Sequence, residues 1–343
     1  MHFASDNTSG CPPQIMAALL RANDGYAMGY GNDDFMTRVR DQLREVFEAP
    51  EAAVYLVATG TAANALACAI ACPPWGAVFC HAHAHIADDE CGAPEFFTGG
   101  AKLVLVPGVN GRMTPDALTA AVSRLSPGNV HSVQRGMVSI TNVTEAGTVY
   151  TPAEVAALAA VAHQHGLPVH LDGARFANAL IATGATPAQM TWQAGVDILS
   201  FGGTKNGLMG VEAVVIFDPA RAWEFELRRK RAGHLPSKHR YLSAQMEAYL
   251  TDGLWLHLAR QANAKAALLA QGLARVPDAV LAHPVHANIL FPHFPAGTHD
   301  RAQGAGAVYY RMPAPPGRDA ARFVASWSTT DEDVQALLTA LAP

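Results

Sequence analysis

The sequence contains no run of about eighteen consecutive apolar residues, the length that a membrane-spanning helix requires. Its first residues, Met1 to Asp6, also lack the basic and apolar regions of a secretory signal peptide. The five cysteines are odd in number and show no CxxC spacing, which argues for reduced thiols and against a disulfide framework. We therefore expect a cytoplasmic protein that does not associate with a membrane.

Charge is also scarce. Only 15% of the 343 residues are charged, the net charge is −5, and basic residues cluster only at positions 228–231. The basic surface of a nucleic-acid-binding protein is therefore missing. Half of the residues are apolar, and this excess over charged residues favours subunit contacts. The composition predicts an oligomer that does not bind nucleic acid.

Short apolar runs recur along the first two thirds of the chain and are separated by helical patterns. Their continuous hydrophobicity is typical of strands covered on both faces by helices. Two helix candidates, 115–125 and 152–165, open with Thr-Pro, which supplies an N-cap and then a proline at the first helical position. The pattern predicts an α/β fold with a mainly parallel seven-stranded sheet. The strand candidates are residues 53–58, 77–81, 102–106, 136–141, 168–172, 196–201 and 211–217.

The pattern changes after residue 217. Residues 242–274 predict one long helix, and three short strand candidates follow at 288–291, 307–311 and 322–327. A chain of this length exceeds what one hydrophobic core usually organises. We therefore expect a large domain over residues 1–245 and a smaller C-terminal α+β domain over residues 246–343.

Polar residues directly after predicted strands mark the place where open α/β sheets bind ligands. Residues 59–64, Thr-Gly-Thr-Ala-Ala-Asn, follow the first strand and open a helix. The free backbone N–H groups and the positive end of such a helix suit a phosphate group. An ordinary tight turn with an N-cap is the alternative interpretation of the same residues.

Two further strand ends carry candidate functional groups. Asp172 ends a predicted strand and Arg175 follows three residues later. A carboxylate can keep a pyridine nitrogen protonated, which makes the ring an electron sink, and an arginine can bind an amino-acid carboxylate through two hydrogen bonds. The alternative is an Asp172–Arg175 ion pair that caps the next helix. Lys205 lies in a glycine-rich loop after the strand at 196–201, where it could form an imine with a carbonyl cofactor or remain a surface charge.

In this order, the phosphate-binding turn, the Asp–Arg strand end and the glycine-flanked lysine resemble the aspartate-aminotransferase-like fold of pyridoxal phosphate enzymes. Within it the chain resembles the threonine aldolase family, over segments 5–8, 30–34, 59–64, 85–92 and 172–175 and at two single residues, Lys205 and Arg322. The resemblance implies that Lys205 carries the cofactor as a Schiff base. It also implies roles for eight further residues: Asp172 at the ring nitrogen, Gly60 and Thr61 at the phosphate, His85 stacked on the ring, Arg231 (or Lys238) as the cationic phosphate ligand, and Ser5, Arg175 and Arg322 at the substrate carboxylate.

The chain is similar to a branch of bacterial low-specificity L-threonine and phenylserine aldolases. This implies cleavage of L-threonine, L-allo-threonine or a phenylserine-like amino acid to glycine and an aldehyde. It also implies a homodimer or homotetramer with active sites at the dimer interface, near segment 30–34. Much of the family has a second active-site histidine where residues 141–145 read Thr-Asn-Val-Thr-Glu. His85 is therefore the candidate to position the base, in addition to stacking.

Other reactions stay open at this point. The same cofactor and fold support β-elimination and transamination, because the protein selects the reaction by geometry. A metal hydrolase is an alternative of another class, since His81, His83 and His85 alternate and would share one face of a strand. However, these residues do not match the HxHxDH signature, which requires an aspartate that the segment lacks. We therefore predict no metal.

Overall fold

The computed structural model describes residues 1–342; Pro343, the last residue of the predicted second domain, lies outside the described residues. The strands are β1 (Ala53–Val57), β2 (Gly76–His81), β3 (Lys102–Val106), β4 (Gly108–Val109), β5 (Arg112–Met113), β6 (Gln134–Thr141), β7 (Val169–Gly173), β8 (Ile198–Phe201), β9 (Glu212–Ile216), β10 (Val280–Leu281), β11 (Ile289–Leu290), β12 (Pro292–Pro295), β13 (Tyr310–Met312) and β14 (Arg318–Val324).

The α-helices are α1 (Pro13–Ala22), α2 (Asp34–Val46), α3 (Gly60–Ala71), α4 (His85–Asp88), α5 (Ala93–Thr98), α6 (Pro115–Ser123), α7 (Pro152–Gln164), α8 (Phe176–Thr183), α9 (Pro187–Met190), α10 (Ala222–Arg231), α11 (Arg240–Leu250), α12 (Leu254–Leu273), α13 (Thr298–Gly304) and α14 (Asp331–Leu341). Short 3₁₀ helices span Asp6–Thr8, Trp192–Ala194, Thr204–Asn206, Pro219–Arg221 and Thr251–Gly253. No helix within residues 1–342 combines the length and the apolar character that a membrane span requires.

The central sheet has seven strands in the order β1-β9-β8-β7-β6-β2-β3. Neighbouring strands run parallel except for β9, which is antiparallel to both β1 and β8. Strands β2, β7, β8 and β9 are buried along their whole length, as continuous apolar runs require. The seven strand candidates of the sequence coincide with these seven strands, and the predicted mainly parallel sheet is confirmed.

The Thr-Pro signals also mark helix starts correctly. The side chains of Thr114 and Thr151 accept hydrogen bonds from the first turns of α6 and α7, with proline at the first helical position in both. The long helix predicted over 242–274 is wrong, because the chain breaks between α11 and α12. Asp252 has φ 52° and Gly253 has φ 67°, left-handed values that interrupt helical hydrogen bonding.

A second, antiparallel sheet has the order β10-β12-β14-β11, with β13 paired to β14. It packs with α12 and α14 around Phe294 and Phe323. The chain's first residues join this unit, since Phe3 is buried against Phe323 and its carbonyl accepts from the N–H of Val324 at 2.9 Å. The boundary expected between residues 245 and 246 stays a prediction; it falls within α11.

An aromatic cluster supports the loop that carries Lys205. Phe201, the last residue of β8, contacts the rings of Phe47, Phe176, Tyr249 and Trp255 at centroid distances of 5.4–6.0 Å. The Tyr249 hydroxyl donates to the carbonyl of Gly202 at 3.2 Å. The packing of this cluster therefore fixes the start of the loop.

We predict that Phe201→Ala lowers the free energy of unfolding by about 3–5 kcal/mol, because it leaves a cavity among four aromatic rings. Urea unfolding followed by circular dichroism measures the change. The matched control is Phe96→Ala: this ring is 77% exposed, so its loss should cost no more than about 0.5 kcal/mol. Equal losses in both variants would contradict the structural role of Phe201.

Candidate active site

A cavity of about 270 Å³ opens at the carboxyl ends of β1, β7 and β8. Parallel strands bring their carboxyl ends to the same edge of a sheet, so residues far apart in sequence meet there. Five residues predicted for the site, Gly60, Thr61, His85, Asp172 and Lys205, line this cavity. The remaining lining residues are Asn7, Ala58, Thr59, Asn64, Ala174, Thr204 and Glu212.

The amino end of α3 forms one wall. Thr59 is its N-cap, with the side-chain oxygen 3.1 Å from the N–H of Ala62. The N–H groups of Gly60 and Thr61 lie in the first turn, where no helical carbonyl can accept from them. A Cβ added to Gly60 would meet no atom within 4 Å, so a ligand can approach this backbone. The wall suits an anion such as a phosphate group.

Asp172 lies at the end of β7 and is 2% exposed. Its Oδ1 accepts from the N–H of Ala174 at 3.0 Å, and its Oδ2 accepts from Nδ2 of Asn64 at 3.1 Å. These two donors from different elements fix the orientation of the carboxylate.

His170 lies two residues earlier on β7, so its side chain points to the same face of the sheet as that of Asp172. Its ring nitrogens contact the hydroxyls of Ser139 and Ser200 at 3.0 and 2.9 Å. Burial lowers the pKa of His170 to about 4, which keeps the ring neutral near pH 7. Asp172 is therefore accompanied by a neutral hydrogen-bonded ring and not by a second charge.

Lys205 lies in the 3₁₀ turn Thr204–Asn206 after β8. The turn is anchored by Asn206, whose Nδ2 donates to the Tyr249 hydroxyl at 2.6 Å and to the Trp255 carbonyl at 2.8 Å. Gly202 precedes the turn, and a Cβ there would lie 2.2 Å from the carbonyl oxygen of Ala174. Glycine is therefore required for the close approach of this loop to the end of β7.

Glu212 is a buried carboxylate beside the same loop. Its Oε2 accepts from the N–H of Gly203 at 2.6 Å. Burial raises the pKa of Glu212, while hydrogen bonds and the nearby charge of Lys205 act in the opposite direction. Glu212 thus anchors the start of the Lys205 loop through the N–H of Gly203.

His85 is the first residue of α4, and its Nδ1 lies 2.8 Å from Oε1 of Glu90. The same Glu90 oxygen accepts from Nδ2 of Asn64 at 2.8 Å. The hydrogen bond with Glu90 raises the pKa of His85, although burial acts against it. A buried carboxylate therefore orients the ring of His85 at the edge of the cavity.

An amine, a strand-end carboxylate, an imidazole and an anion-binding helix end therefore share one cavity. A model of the β-eliminating lyase family matches residues 2–295. The chain belongs to this family. It is 41% identical over 335 residues to the low-specificity L-threonine aldolases of a Pseudomonas species and of Pseudomonas aeruginosa, over 98% of this chain and 95% of each relative. The structure of Leishmania major threonine aldolase superposes with a TM-score of 0.94 at 31% identity, covering 99% of this chain and 98% of that one.

These similarities confirm the resemblance to threonine aldolases that the motifs indicate. They also confirm the aspartate-aminotransferase-like fold and pyridoxal phosphate as the cofactor. Within the family fold, the helix end, Asp172 and Lys205 meet at one cavity, as the order of the motifs predicts.

Arg175 does not face this cavity freely. Its Nε and Nη2 donate to Oδ2 and Oδ1 of Asp6 at 2.6 and 3.0 Å, and both side chains are almost fully buried. Asn288 adds a third donor to Asp6 at 3.0 Å. Burial alone would raise the pKa of Asp6, but the Arg175 guanidinium holds it below its usual value. The sequence predicted either a substrate contact or a pair with Asp172; the structure pairs Arg175 with Asp6.

Arg322 lies on β14, close enough to Arg175 for their charges to interact. It is half-buried, and burial together with the charge of Arg175 lowers its pKa. Within residues 1–342 its side chain forms no hydrogen bond or ion pair, in contrast to that of Arg175. Ser5, also predicted at the carboxylate, caps the 3₁₀ helix Asp6–Thr8 through the N–H of Asn7 at 3.2 Å.

The structure does not bring Arg231 to the cavity. This exposed residue ends α10 and lines a separate groove with Leu66, Phe96 and Phe97. The reason is the packing of α10 against α3, which brings Arg231 to the middle of α3, at Leu66, and not to its amino end at Gly60.

The alternating histidines do not share a strand. Only His81 belongs to β2, and its Nδ1 accepts from the N–H of His83 at 3.0 Å as the chain turns. The exposed His83 pairs with Asp88, and His85 pairs with Glu90. Among residues 1–342 no group of three or more His, Cys, Asp or Glu side chains is arranged to hold a metal ion.

Four residues of the site were not predicted from the sequence: Asp6, Asn64, Glu90 and Glu212. Asn64 and Glu90 lie inside segments that carry the family resemblance, but nothing in the sequence indicates which residues they contact. Asp6 follows Ser5 in another such segment. Glu212 opens β9 and has no local motif that would distinguish it from a surface carboxylate.

We predict that Asp6→Ala lowers the free energy of unfolding by about 3–5 kcal/mol, because it leaves the Arg175 charge buried and unpaired. The folded-state pKa of Asp6 is lowered, so its stabilisation is present above the unfolded-state pKa and is lost as acidification protonates it. The difference in unfolding free energy between wild type and variant, measured by urea unfolding, should therefore shrink toward low pH.

The control Glu224→Ala removes an exposed pair with Arg228 and should lower the free energy of unfolding by at most about 0.5 kcal/mol. A difference that does not change with pH would contradict the assignment.

Proposed function

We propose that this chain is a pyridoxal phosphate-dependent aldolase that cleaves L-threonine and related L-β-hydroxy-α-amino acids to glycine and an aldehyde. The observation that carries the proposal is the convergence of Lys205, Asp172 and the open amino end of α3 on one cavity. The similarity to threonine aldolases selects this reaction over β-elimination and transamination, which the same fold can support.

The residues of the cavity fit the cofactor. The N–H groups of Gly60 and Thr61 would hold its phosphate, Asp172 would pair with its ring nitrogen, and the Lys205 amine would bind its carbonyl carbon. When bound, pyridoxal phosphate withdraws electrons from the α-carbon of the amino acid attached to it. Arg231 does not line the cavity of this protomer. We therefore propose the amino end of α3 as the phosphate contact.

The substrate carboxylate needs a cation that is not already neutralised. Arg322 has no partner among the described residues, whereas two nitrogens of Arg175 are bound to Asp6. Arg322 is therefore proposed as the main carboxylate ligand, with Ser5 and the remaining Arg175 nitrogen as further donors. His85 would stack against the ring and position the group that removes the proton of the β-hydroxyl.

The test compares wild type with Lys205→Ala, each supplied with pyridoxal phosphate and L-threonine. The variant should lose glycine and acetaldehyde formation by on the order of a thousandfold or more, because the attachment point is gone. Only the wild type should retain the cofactor after borohydride treatment. Lys102→Ala, which removes an exposed lysine on β3, is the control and should behave as wild type. Equal turnover by wild type and Lys205→Ala would contradict the proposal. Formation of ammonia and a keto acid would indicate β-elimination.

We also propose that the active enzyme is a homodimer or homotetramer with active sites at the dimer interface. Exposed apolar side chains crowd α1 and the loop after it, and large exposed apolar patches on soluble proteins mark interaction surfaces. The exposed fractions are 74% for Leu20, 71% for Met28 and 49% for Tyr30.

The five cysteines are free thiols, which supports a reducing, cytoplasmic location.

Replacing Leu20 and Met28 together by glutamate should dissociate the oligomer and abolish turnover, since charge at an apolar contact opposes association. Light scattering during turnover measures the mass. Val130→Glu, at a residue that is 89% exposed in another loop, is the control and should leave the mass unchanged. A wild-type monomer with full activity would refute the shared active site.

A further inference from the structure

Four polar side chains form a continuous chain from Asp172 to His85. Asn64 donates from Nδ2 to Oδ2 of Asp172 at 3.1 Å and to Oε1 of Glu90 at 2.8 Å. Glu90 Oε1 then contacts Nδ1 of His85 at 2.8 Å. The four residues come from β7, α3, the segment after α4, and the start of α4. Asn64 and Glu90 therefore connect two groups that line the same cavity.

The hydrogen-bonding capacity of these groups fixes where the protons lie. An amide nitrogen has two N–H groups and a carboxylate only accepts, so both donors of Asn64 are used by the two carboxylates. With Glu90 ionised, the remaining contact of its Oε1 comes from a protonated Nδ1 of His85. In the neutral ring the other nitrogen, Nε2, is consequently the acceptor. Nε2 makes no hydrogen bond within residues 1–342.

Burial makes this contact strong. The Glu90 side chain is fully buried, whereas that of His85 is 25% exposed. Glu90 Oε2 has no hydrogen-bond partner among the described residues, so the charge of Glu90 is balanced mainly through Oε1. Burial raises the pKa of Glu90, and the Glu90 contact raises the pKa of His85. An unpaired carboxylate at this depth would be costly, so the Glu90–His85 pair forms one unit.

We propose that Glu90 is a positioning residue that keeps Nδ1 of His85 protonated, leaving Nε2 as the proton-accepting atom of the cavity. This inference deepens the proposed function and rests on it. Ring stacking alone would not require a buried carboxylate behind the histidine. A fixed acceptor nitrogen is required if the ring takes the β-hydroxyl proton directly or through water.

Two variants separate charge from hydrogen bonding. Glu90→Gln keeps an oxygen that can accept from both Asn64 and Nδ1, and the Asn64 donor holds the new amide in that orientation, but the charge is lost. Glu90→Leu removes the acceptor altogether. The control is Asp88→Asn, which alters the equivalent but exposed pair with His83 at 3.2 Å.

The first readout does not depend on turnover. Nitrogen NMR of the ¹⁵N-histidine-labelled holoenzyme reports the tautomer and the titration of His85, whose signals are assigned by their loss in His85→Asn. We expect Nδ1–H in wild type, Asp88→Asn and Glu90→Gln, and a mixture of tautomers in Glu90→Leu. His85 should titrate at lower pH in both Glu90 variants, because the negative charge that favours the protonated ring is gone.

The second readout is the pH profile of L-threonine cleavage. If the neutral ring accepts the proton, activity falls on acidification through the pKa of His85, so the acid limb of kcat/KM should move to lower pH in Glu90→Gln. In Glu90→Leu, kcat should fall by roughly tenfold to a hundredfold with little change in KM.

An unchanged His85 tautomer in Glu90→Leu and an unchanged titration in Glu90→Gln would overturn the inference. Should Glu90→Leu fail to fold, the titration of the near-isosteric Glu90→Gln still decides it. A wild type that shows the Nδ1–H tautomer but does not cleave L-threonine would reject the proposed function alone.

Discussion

The shared direction of the sheet's strands is the constraint on which the site depends. Six of the seven strands run the same way and only β9 is reversed. Their carboxyl ends therefore meet at one edge, where α3 starts after β1, Asp172 ends β7 and Lys205 follows β8. Each group is carried by an element whose apolar face is buried in the core, so its position is set by packing and not by loop flexibility. The residues at this edge, and with them the reaction, can change while the sheet stays the same.

The buried Asp6–Arg175 pair joins distant parts of the chain beside the site. Asp6 pairs with Arg175, and Asn288 ties the same carboxylate to the smaller sheet. The N-terminal segment thus links the end of β7 to the second unit. Glu212, also buried, anchors the loop of Lys205 through the N–H of Gly203. Once desolvated, these groups exert strong and directed electrostatic effects, which is the condition for preorganised catalysis.

Much of this arrangement could be predicted from the sequence. Continuous apolar runs located all seven strands, and polar residues after three of them identified the cavity, because both signals are local. The partner of Arg175 could not be predicted, since Asp6 lies 169 residues away and any nearby carboxylate fitted the pattern equally well. The position of Arg231 outside this cavity could not be predicted, because nothing local fixes how α10 docks on α3. The break at Asp252 and Gly253 was missed although an Asp-Gly pair is a turn signal in the sequence.

The departure of residues 141–145 from the family pattern bears on how the proton is handled. Within that segment the negative charge of Glu145 interacts with Arg175, Arg322 and His85, and it favours the protonated form of each of these three groups. His85, which Glu90 holds through Nδ1, lines the cavity with a partly exposed side chain and is therefore the candidate that remains for handling the β-hydroxyl proton in the proposed function.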